Sequence, residues 1–300
     1  MLTSGILVVD KPLGLTSHDI VMRIRKKLGT RKVGHAGTLD PAATGVLVMG
    51  VGESTRLLEY LTAADKVYEG EVCFGQATDT EDAVGNVVAV KDAGFLTTDL
   101  VVSAARSFMG VQWQQVPAYS AVHIEGRRAY EWARAGSVVE LPHKKIEIYE
   151  LKVSTFEAGS LATAKFSVHC SKGTYVRSLC RDWGTVLGLP AHLKSLRRLQ
   201  SGLFSIDESV TLAEFLADSR PEHYILSALE GLRELAWVEI SSSDASCLRL
   251  GQRVPGNLEL QNGPVAAVCE DELVAIVWPQ WTKDKNCWLQ PHKVFGKGEQ

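Results

Sequence analysis

Residues 34–45 form the first segment whose residue types and spacing suggest chemistry. The segment reads G-H-A-G-T-L-D-P-A-A-T-G, and its glycines allow sharp turns or a close approach of the backbone to a ligand. Pro41 biases Asp40 towards an extended backbone, which would fix the direction of its carboxylate. An Asp-Pro pair among glycines is, taken alone, most often a simple turn. A P-loop and a dinucleotide-binding loop are excluded, because the segment contains neither Gly-Lys-Ser/Thr nor G-x-G-x-x-G.

A second stretch, residues 170–177, places basic residues beside a glycine. It reads C-S-K-G-T-Y-V-R and leads into a predicted helix, an arrangement that suits a phosphate site. An ordinary strand-to-helix connection is the other interpretation. Arg177 falls in the first helical turn, where the helix dipole favours anions rather than cations. We therefore expect Arg177 to pair with a carboxylate from elsewhere in the chain.

Three further candidates carry less specific signals. Tyr68 is predicted on a strand, where it could be a core residue or a ring on which a base stacks. His35 could be a core histidine, a general base or a nucleic-acid contact. The acids Asp79, Glu81 and Asp82 lack the spacing of a calcium-binding loop, so they are interpreted as a solvated hairpin end.

The elements that must position these residues are apolar strands and amphipathic helices. Apolar runs at 6–9 and 46–51 flank a predicted helix, which Thr16 or Ser17 can cap and Gly29 can end. Later patterns predict strands at 66–75, 86–90, 144–156, 161–170, 264–269 and 273–278 and around Trp288, and helices at 53–61, 98–109, 127–135, 174–187, 212–217 and 225–235.

The sequence pattern changes near residue 235, and this change predicts a domain boundary. From Trp237 onwards the chain is rich in short strand patterns. The expected fold is α+β, with a large, mixed, mainly antiparallel sheet flanked by helices over residues 1–235 and a small β-rich C-terminal domain over residues 236–300.

Composition and charge narrow the class of protein. Apolar residues make up 45% and charged residues 22% of the 300 residues, as in ordinary globular domains. No run approaches about 18 apolar residues and the N-terminus lacks a signal-peptide pattern, so we expect no membrane span and a cytoplasmic location.

The six cysteines lack zinc spacing, and we expect free, mostly buried thiols and no metal. Basic residues are concentrated at 23–32 and 165–206, which suits a polyanion, although solvated helix faces give the same pattern.

Five motifs in a fixed order resemble the TruB family of tRNA pseudouridine synthases. They are D-K-P-x-G-x-T-S, G-H-A-G-T-L-D-P-x-A-T-G-V-L, Y-E-G-E-V-x-F-G-Q-A-T-D-T, C-S-K-G-T-Y-V-R-S-L and L-R-R-L-Q-S-G. The resemblance runs from about residue 5 to residue 206, and the blocks around Asp40 and Arg177 are highly specific in combination. The tail resembles, by position and texture only, the PUA-type RNA-binding module of many family members, although its charge balance is acidic.

The resemblance implies the pseudouridine synthase fold and a reaction on tRNA. The substrate would be uridine 55 in the T-stem-loop of tRNA, whose C1′–N1 bond is cut and whose C1′ is rejoined to C5 of the same uracil. The reaction needs no redox change and no phosphate transfer, so no cofactor is implied. Nothing in the sequence suggests an obligate protein partner.

The resemblance also assigns roles to individual residues. Asp40 aligns with the family's essential aspartate, and Arg177 matches an arginine that keeps that carboxylate ionised, for which a guanidinium offers two donors. Tyr68 matches the tyrosine that stacks on the target base. The motif at Lys11 and Pro12 is expected to support the active-site loop. The implied substrate-binding residues are Tyr68, Tyr175, His35, Lys11 and Leu196.

Two alternatives remain open at this point. The same fold could act on another RNA, such as rRNA, or be guided by a separate RNA. A protein of a different class would bind or fold RNA without catalysis, but the presence of both Asp40 and Arg177 argues against lost activity.

Overall fold

The computed structural model describes residues 4–137, 139–233, 235–258 and 263–296. The first part of the chain is built on one mixed sheet and two small hairpins. Its strands are β1 (Gly5–Lys11), β2 (Val33–His35), β3 (Ala43–Val51), β4 (Lys66–Phe74), β5 (Gln76–Thr78), β6 (Val87–Val90), β7 (Gly110–Gln115), β8 (His123–Ile124), β9 (Arg127–Arg128), β10 (His143–Glu157), β11 (Ala162–Cys170), β12 (Ala191–Ser201), β13 (Phe204–Ser205), β14 (Val210–Thr211) and β15 (Ile225–Leu226). Its helices are α1 (Ser17–Leu28), α2 (Leu58–Thr62), α3 (Thr98–Arg106), α4 (Ala129–Arg134), α5 (Val176–Val186), α6 (Leu212–Ala217) and α7 (Ala228–Gly231), with 3-10 turns at Gly52–Leu57, Ile206–Glu208 and Pro221–Tyr224.

The large sheet follows the order β14-β1-β3-β12-β4-β11-β10-β7, with β2, β13 and β15 attached beside this path. β3 pairs in parallel with β12, and β1 pairs in parallel with β14. The other neighbours along the path are antiparallel. This architecture confirms the predicted α+β class with a mixed, mainly antiparallel sheet.

Helix α1 shows how the sequence sets one element. Thr16 is its N-cap and forms a capping box with Asp19, and Gly29 ends it in the left-handed conformation at φ 66°. The apolar stripe of α1, which includes Ile20 and Ile24, packs in the core against β1 and β3. Capping satisfies backbone amides that have no partner inside the helix, so both ends lie where the sequence predicts them.

Two cores lie on one face of the large sheet. Ala43 and Leu47 are four residues apart in β3, so their side chains point to the same face. Ala43 belongs to the core that α3 and α5 cover, whereas Leu47 belongs to the core under α1 and α6. The N-terminal end of β3, and the loop that precedes it, therefore lie at the junction of the two cores.

Some predicted helices are wrong in extent. The helix expected over 225–235, of which residue 234 lies outside the described residues, is replaced by β15, which pairs with β1 at Ile6 and Leu7, and by the single turn of α7. Strand pairing satisfies the backbone groups of β1, and this tertiary demand overrides local helix propensity. For the same reason the helix predicted at 127 begins only at Ala129, after the short strand β9.

The C-terminal part forms a second, five-stranded sheet. Its elements are β16 (Trp237–Glu239), α8 (Ser242–Arg249), β17 (Val254–Gly256), β18 (Val265–Cys269), β19 (Glu272–Trp281) and β20 (Cys287–Val294). The strand order is β16-β18-β19-β20-β17, and α8 packs on the core of this sheet. Residues 259–262 and 297–300 of the predicted C-terminal domain lie outside the described residues.

Two composition-based expectations can be compared with the structure. All six cysteines are free thiols; five are buried and Cys247 is half-buried, which confirms that prediction. Within the described ranges, no helix has the length and apolar character needed to cross a membrane.

Candidate active site

The loop that carries Asp40 joins β2 to β3, and backbone bonds hold it near both ends. The amide of Ala36 donates to the carbonyl of Val48 at 2.8 Å, and the amide of Ala43 donates to the carbonyl of Asp40 at 3.0 Å. Because β3 is buried along nearly its whole length, these bonds tie the loop to a rigid strand.

The N-terminal segment holds the same loop from another side. The buried Ser17 hydroxyl accepts a hydrogen bond from the amide of Leu39 at 2.9 Å and donates to the carbonyl of Leu39 at 3.1 Å. The amide of Gly14 donates to the carbonyl of Pro41 at 2.8 Å. The D-K-P-x-G-x-T-S motif therefore braces the loop, and sequence reasoning missed Ser17 because it considered that residue only as a helix cap.

The structure brings Asp40 and Arg177 into contact beside the core that contains both Leu39 and Val176. Arg177 Nε lies 2.9 Å from Asp40 Oδ2. The Arg177 side chain is only 8% exposed, whereas that of Asp40 is 42% exposed. The guanidinium is thus a buried cation that stabilises a carboxylate still open to solvent, where a substrate can reach it.

The expectation that Arg177 offers two donors to the carboxylate is wrong. Only Nε faces Asp40; Nη1 donates to the carbonyl of Thr80 at 3.0 Å, and Nη2 donates to the carbonyl of Tyr119 at 2.9 Å. All three arms of the guanidinium are therefore engaged. The fork joins Asp40 to two loops far away in sequence, which a sequence pattern cannot reveal.

The interpretation of Asp79, Glu81 and Asp82 as a solvated hairpin end is also wrong for two of them. Asp82 is buried, and Glu81 accepts hydrogen bonds from Arg181 Nη1 at 2.6 Å and from the Ser178 hydroxyl at 3.1 Å. Both partners belong to α5, the helix that carries Arg177. The turn is therefore docked onto α5, because carboxylates close to buried donors gain more from pairing than from water.

A second buried arginine, Arg198 of β12, lies beside the same loop. It is 1% exposed; its Nε donates to the carbonyl of Val46 at 2.7 Å and its Nη2 donates to the carbonyl of Gly37 at 3.1 Å. The L-R-R-L-Q-S-G motif contains this residue. Sequence reasoning counted it only among the basic residues at 165–206 that suit a polyanion, whereas the structure buries it. No strand was predicted over Ala191–Ser201, so the burial of this arginine was not expected.

Lys11 is fully buried at the end of β1. Its ammonium donates to the carbonyl of Pro12 at 2.9 Å. Burial lowers the pKa of Lys11, and the negative charge of Asp40 opposes that change. Lys11 and Asp40 therefore lie within electrostatic reach of each other, and the Lys11 ammonium is not exposed to solvent.

Tyr68 of β4 is largely a core residue. It is 8% exposed and belongs to the same core as Leu39 and Ala43. It lies directly opposite Arg198 in the β4–β12 ladder. Burial raises the pKa of the Tyr68 hydroxyl, and the positive charge of Arg198 opposes the rise. Only a small part of the ring is open to a ligand.

Tyr175 is the N-cap of α5. Its amide donates to Gln114 Oε1 at 2.8 Å, and its carbonyl accepts from Gln114 Nε2 at 3.1 Å. Burial raises the pKa of Tyr175, the charge of Arg177 opposes the rise and that of Asp40 adds to it. The ring therefore lies within the electrostatic reach of both charged residues.

His35 and Leu196 complete the predicted set. His35 ends β2; burial first, and then the charge of Arg198, lower its pKa, and its Nδ1 is buried without a hydrogen-bond partner among the described residues. Leu196 lies on β12 between Ala43 of β3 and Gly70 of β4. The structure therefore places Leu196 and Lys11 at the N-terminal end of β3, whereas His35 lies opposite Met49, nearer the C-terminal end of that strand.

Comparisons with known proteins identify the family to which this chain belongs. The N-terminal domain model of the TruB family pseudouridylate synthases matches residues 25–176, and the C-terminal domain model of tRNA pseudouridylate synthase B matches residues 177–233. The chain therefore belongs to the TruB family of pseudouridylate synthases.

Individual relatives agree with this assignment. The chain is 42% identical to a tRNA pseudouridine synthase B of Geobacillus thermodenitrificans, over 97% of this chain and 99% of the relative. It is 44% identical to a tRNA pseudouridine synthase B of Syntrophotalea carbinolica, over 86% of this chain and 83% of the relative. Among solved structures, a Cbf5-Nop10-Gar1 complex matches with a TM-score of 0.75 and 26% identity, covering 98% of this chain and 85% of the matched one.

Proposed function

We propose that this protein is a tRNA pseudouridine synthase that isomerises uridine 55 in the T-loop, with Asp40 as the catalytic carboxylate. The ion pair between Asp40 and the buried Arg177 carries this proposal. It occurs in the loop whose sequence matches the family motif, and the curated relatives are tRNA pseudouridine synthases.

The chemistry exchanges one bond of uracil for another. The C1′–N1 bond breaks, C1′ bonds to C5, the hydrogen on C5 leaves as a proton and N1 gains a proton. A positioned, ionised carboxylate can attack the ribose carbon or the base, or remove the proton. Arg177 supports each of these roles, because it stabilises the charge on Asp40 at Oδ2 and leaves the exposed carboxylate facing the substrate.

The target uridine must leave its stack to reach Asp40, which costs a few kcal/mol. Stacking on Tyr68 would offset part of this, on the order of 1–3 kcal/mol. Since Tyr68 is only 8% exposed, the base would cover the remaining edge of the ring. We propose that Tyr175, His35, Lys11 and Leu196 complete the binding site around the base and its neighbours.

The exposed face of α1 and the turn after it would bind RNA phosphates. Arg23, Lys26 and Arg31 are exposed there, whereas Arg25 and Lys27 donate to protein carbonyls. Exposed cations of this kind bind the phosphate backbone in a strongly salt-dependent way. We expect the protein to act on tRNA in the cytoplasm, without an obligate protein partner.

The test uses the purified chain alone with T-stem-loop RNA that carries tritium on C5 of uridine 55. Formation of the C1′–C5 bond releases that tritium to water, so release measures the reaction directly. Release from the T-stem-loop, absent when uridine 55 is replaced by cytidine, is expected. Release only from rRNA would redirect the substrate, and binding without release from any RNA would assign a non-catalytic RNA-binding role.

A further inference from the structure

The guanidinium of Arg198 is buried, which is energetically unfavourable, and the proposed reaction gives this residue no role. It is 1% exposed, and no carboxylate among the described residues lies within ion-pairing distance of it. Burying a cation without a counter-charge is strongly unfavourable, because the charge loses its hydration. Its two hydrogen bonds, to the carbonyls of Val46 and Gly37, must compensate for that loss.

The two carbonyls belong to different parts of the active-site region. Val46 lies inside strand β3, whereas Gly37 lies in the loop three residues before Asp40. One planar guanidinium thus joins the catalytic loop to the strand that follows it. Arg177 contacts the carboxylate of Asp40, while Arg198 donates to a backbone carbonyl of the same loop, that of Gly37.

Two glycines make this arrangement possible. Gly37 has φ +97°, and a Cβ there would lie 3.5 Å from Arg198 Nη1. Gly45 has φ +102°, and a Cβ there would lie 2.1 Å from the carbonyl oxygen of Arg198. The left-handed backbone at both positions favours glycine, and the close approach at Gly45 lets β12 bring Arg198 against the loop.

We propose that Arg198 is a positioning residue: its guanidinium clamps the Gly37 carbonyl to β3 and so holds Asp40 against Arg177. The inference rests on the proposed function for its kinetic consequence, but the clamp itself does not depend on that function. The planar fork matters rather than the charge. A lysine at this position would keep the charge but could not reproduce the two directed bonds of the fork.

The experiment compares Arg198→Lys and Arg198→Met with a matched control, Arg233→Lys. Arg233 also donates to a backbone carbonyl, that of Leu203 at 2.8 Å, but its hydrogen-bond partners, Leu203 and Glu208, lie outside residues 36–42. For each folded variant we would measure the single-turnover rate of tritium release, the Kd for T-stem-loop RNA, and amide hydrogen exchange of the peptide spanning residues 36–42.

Both Arg198 variants should react about 100-fold more slowly, because small displacements of a catalytic group cost rates of this order. Their Kd should stay within about threefold of the parent value, and amides of the loop should exchange faster. A purely structural residue would lower stability without this split between rate and affinity. Arg233→Lys should match the parent protein in all three measurements.

A parent-like rate for Arg198→Lys would overturn the proposal, since charge alone would then suffice. Slow variants with unchanged loop exchange would also overturn it. If the parent protein releases no tritium from any RNA while the Arg198 variants still exchange faster in the loop, the proposed function fails and the clamp stands.

Discussion

The cores packed against the two sheets contain different kinds of buried side chain. The large sheet encloses four cationic side chains, those of Lys11, Lys66, Arg177 and Arg198. In the second sheet, the fully buried side chains of the described residues are apolar, such as Leu248 and Val274. Burial of charged groups therefore carries a large desolvation cost beside the large sheet, and the apolar core of the second sheet carries no such cost.

The difference indicates where the chemistry lies. Desolvated cations are tolerated where their charge or their hydrogen bonds are needed. Three of the four, Lys11, Arg177 and Arg198, lie beside the loop of Asp40, whereas Lys66, at the start of β4, donates to backbone carbonyls. The second sheet has an ordinary apolar core, which contributes stability by burial. It packs against the large sheet through apolar residues such as Leu57, Leu232 and Ile276, and Arg56 donates to the carbonyl of Val294 across the contact.

The largest expected effect follows from Asp40→Asn. The amide keeps the shape of the side chain but removes its negative charge, so turnover should be abolished. Affinity for tRNA should stay within about threefold, because the substitution does not alter the basic residues proposed to bind phosphates. Tritium release and filter binding measure the two quantities. Asp92→Asn, a change at an exposed loop, is the control, and normal product from Asp40→Asn would remove Asp40 from the chemistry.

Arg177→Lys should be the next most severe change. Lysine keeps a positive charge near Asp40, but it cannot also bond the carbonyls of Thr80 and Tyr119. Leaving a buried acceptor without a partner costs about 1–3 kcal/mol, so we expect a rate reduction on the order of 10²-fold or more, together with lower stability. Single-turnover kinetics and thermal unfolding test this, and a near-parental rate would show that the fork is dispensable.

Leu248→Ala tests whether the core of the second sheet contributes to stability and not to the chemical step. Leu248 is 0% exposed in the core of the second sheet, and its truncation should lower the free energy of unfolding by about 2–5 kcal/mol. The single-turnover rate, measured below the unfolding transition, should not change. Denaturant unfolding gives the first quantity and tritium release the second. A slowed chemical step would show that the second sheet contributes directly to the active site.

Lys66→Met tests the effect of a buried cation of the large sheet on the pH dependence of the free energy of unfolding. Burial lowers the pKa of Lys66 to about 8 from an ordinary value of 10.5. Between these values the unfolded chain binds more protons at Lys66 than the folded protein, so this group makes the free energy of unfolding rise with pH. The full contribution is about 3 kcal/mol at most.

The parent protein should therefore gain stability relative to Lys66→Met as pH increases from about 8 to 10.5. Urea unfolding at several pH values measures the difference. Lys91→Met is the control, because Lys91 is exposed and also donates to a backbone carbonyl, that of Gly188 at 2.8 Å. Parallel pH curves for the parent protein and Lys66→Met would contradict the lowered pKa.

Much of the fold could be predicted from the sequence. Local signals were sufficient for α1, whose cap and left-handed glycine end are encoded by neighbours in the chain, and for the apolar run of β3. They failed at 225–235, where pairing with β1 decides the outcome, and at Glu81 and Asp82, whose partners or burial depend on distant segments.

For the site, the sequence by itself determined which residue types were available: an aspartate in a glycine-rich loop, an arginine at the start of a helix and a tyrosine on a strand. Only the tertiary structure decided how they act together. It placed one arm of Arg177 on Asp40 and two on backbone carbonyls, and it put Arg198 beneath the loop. The physical reason is that a buried guanidinium must satisfy its donors wherever the fold supplies acceptors, and those acceptors are backbone atoms that no residue pattern marks.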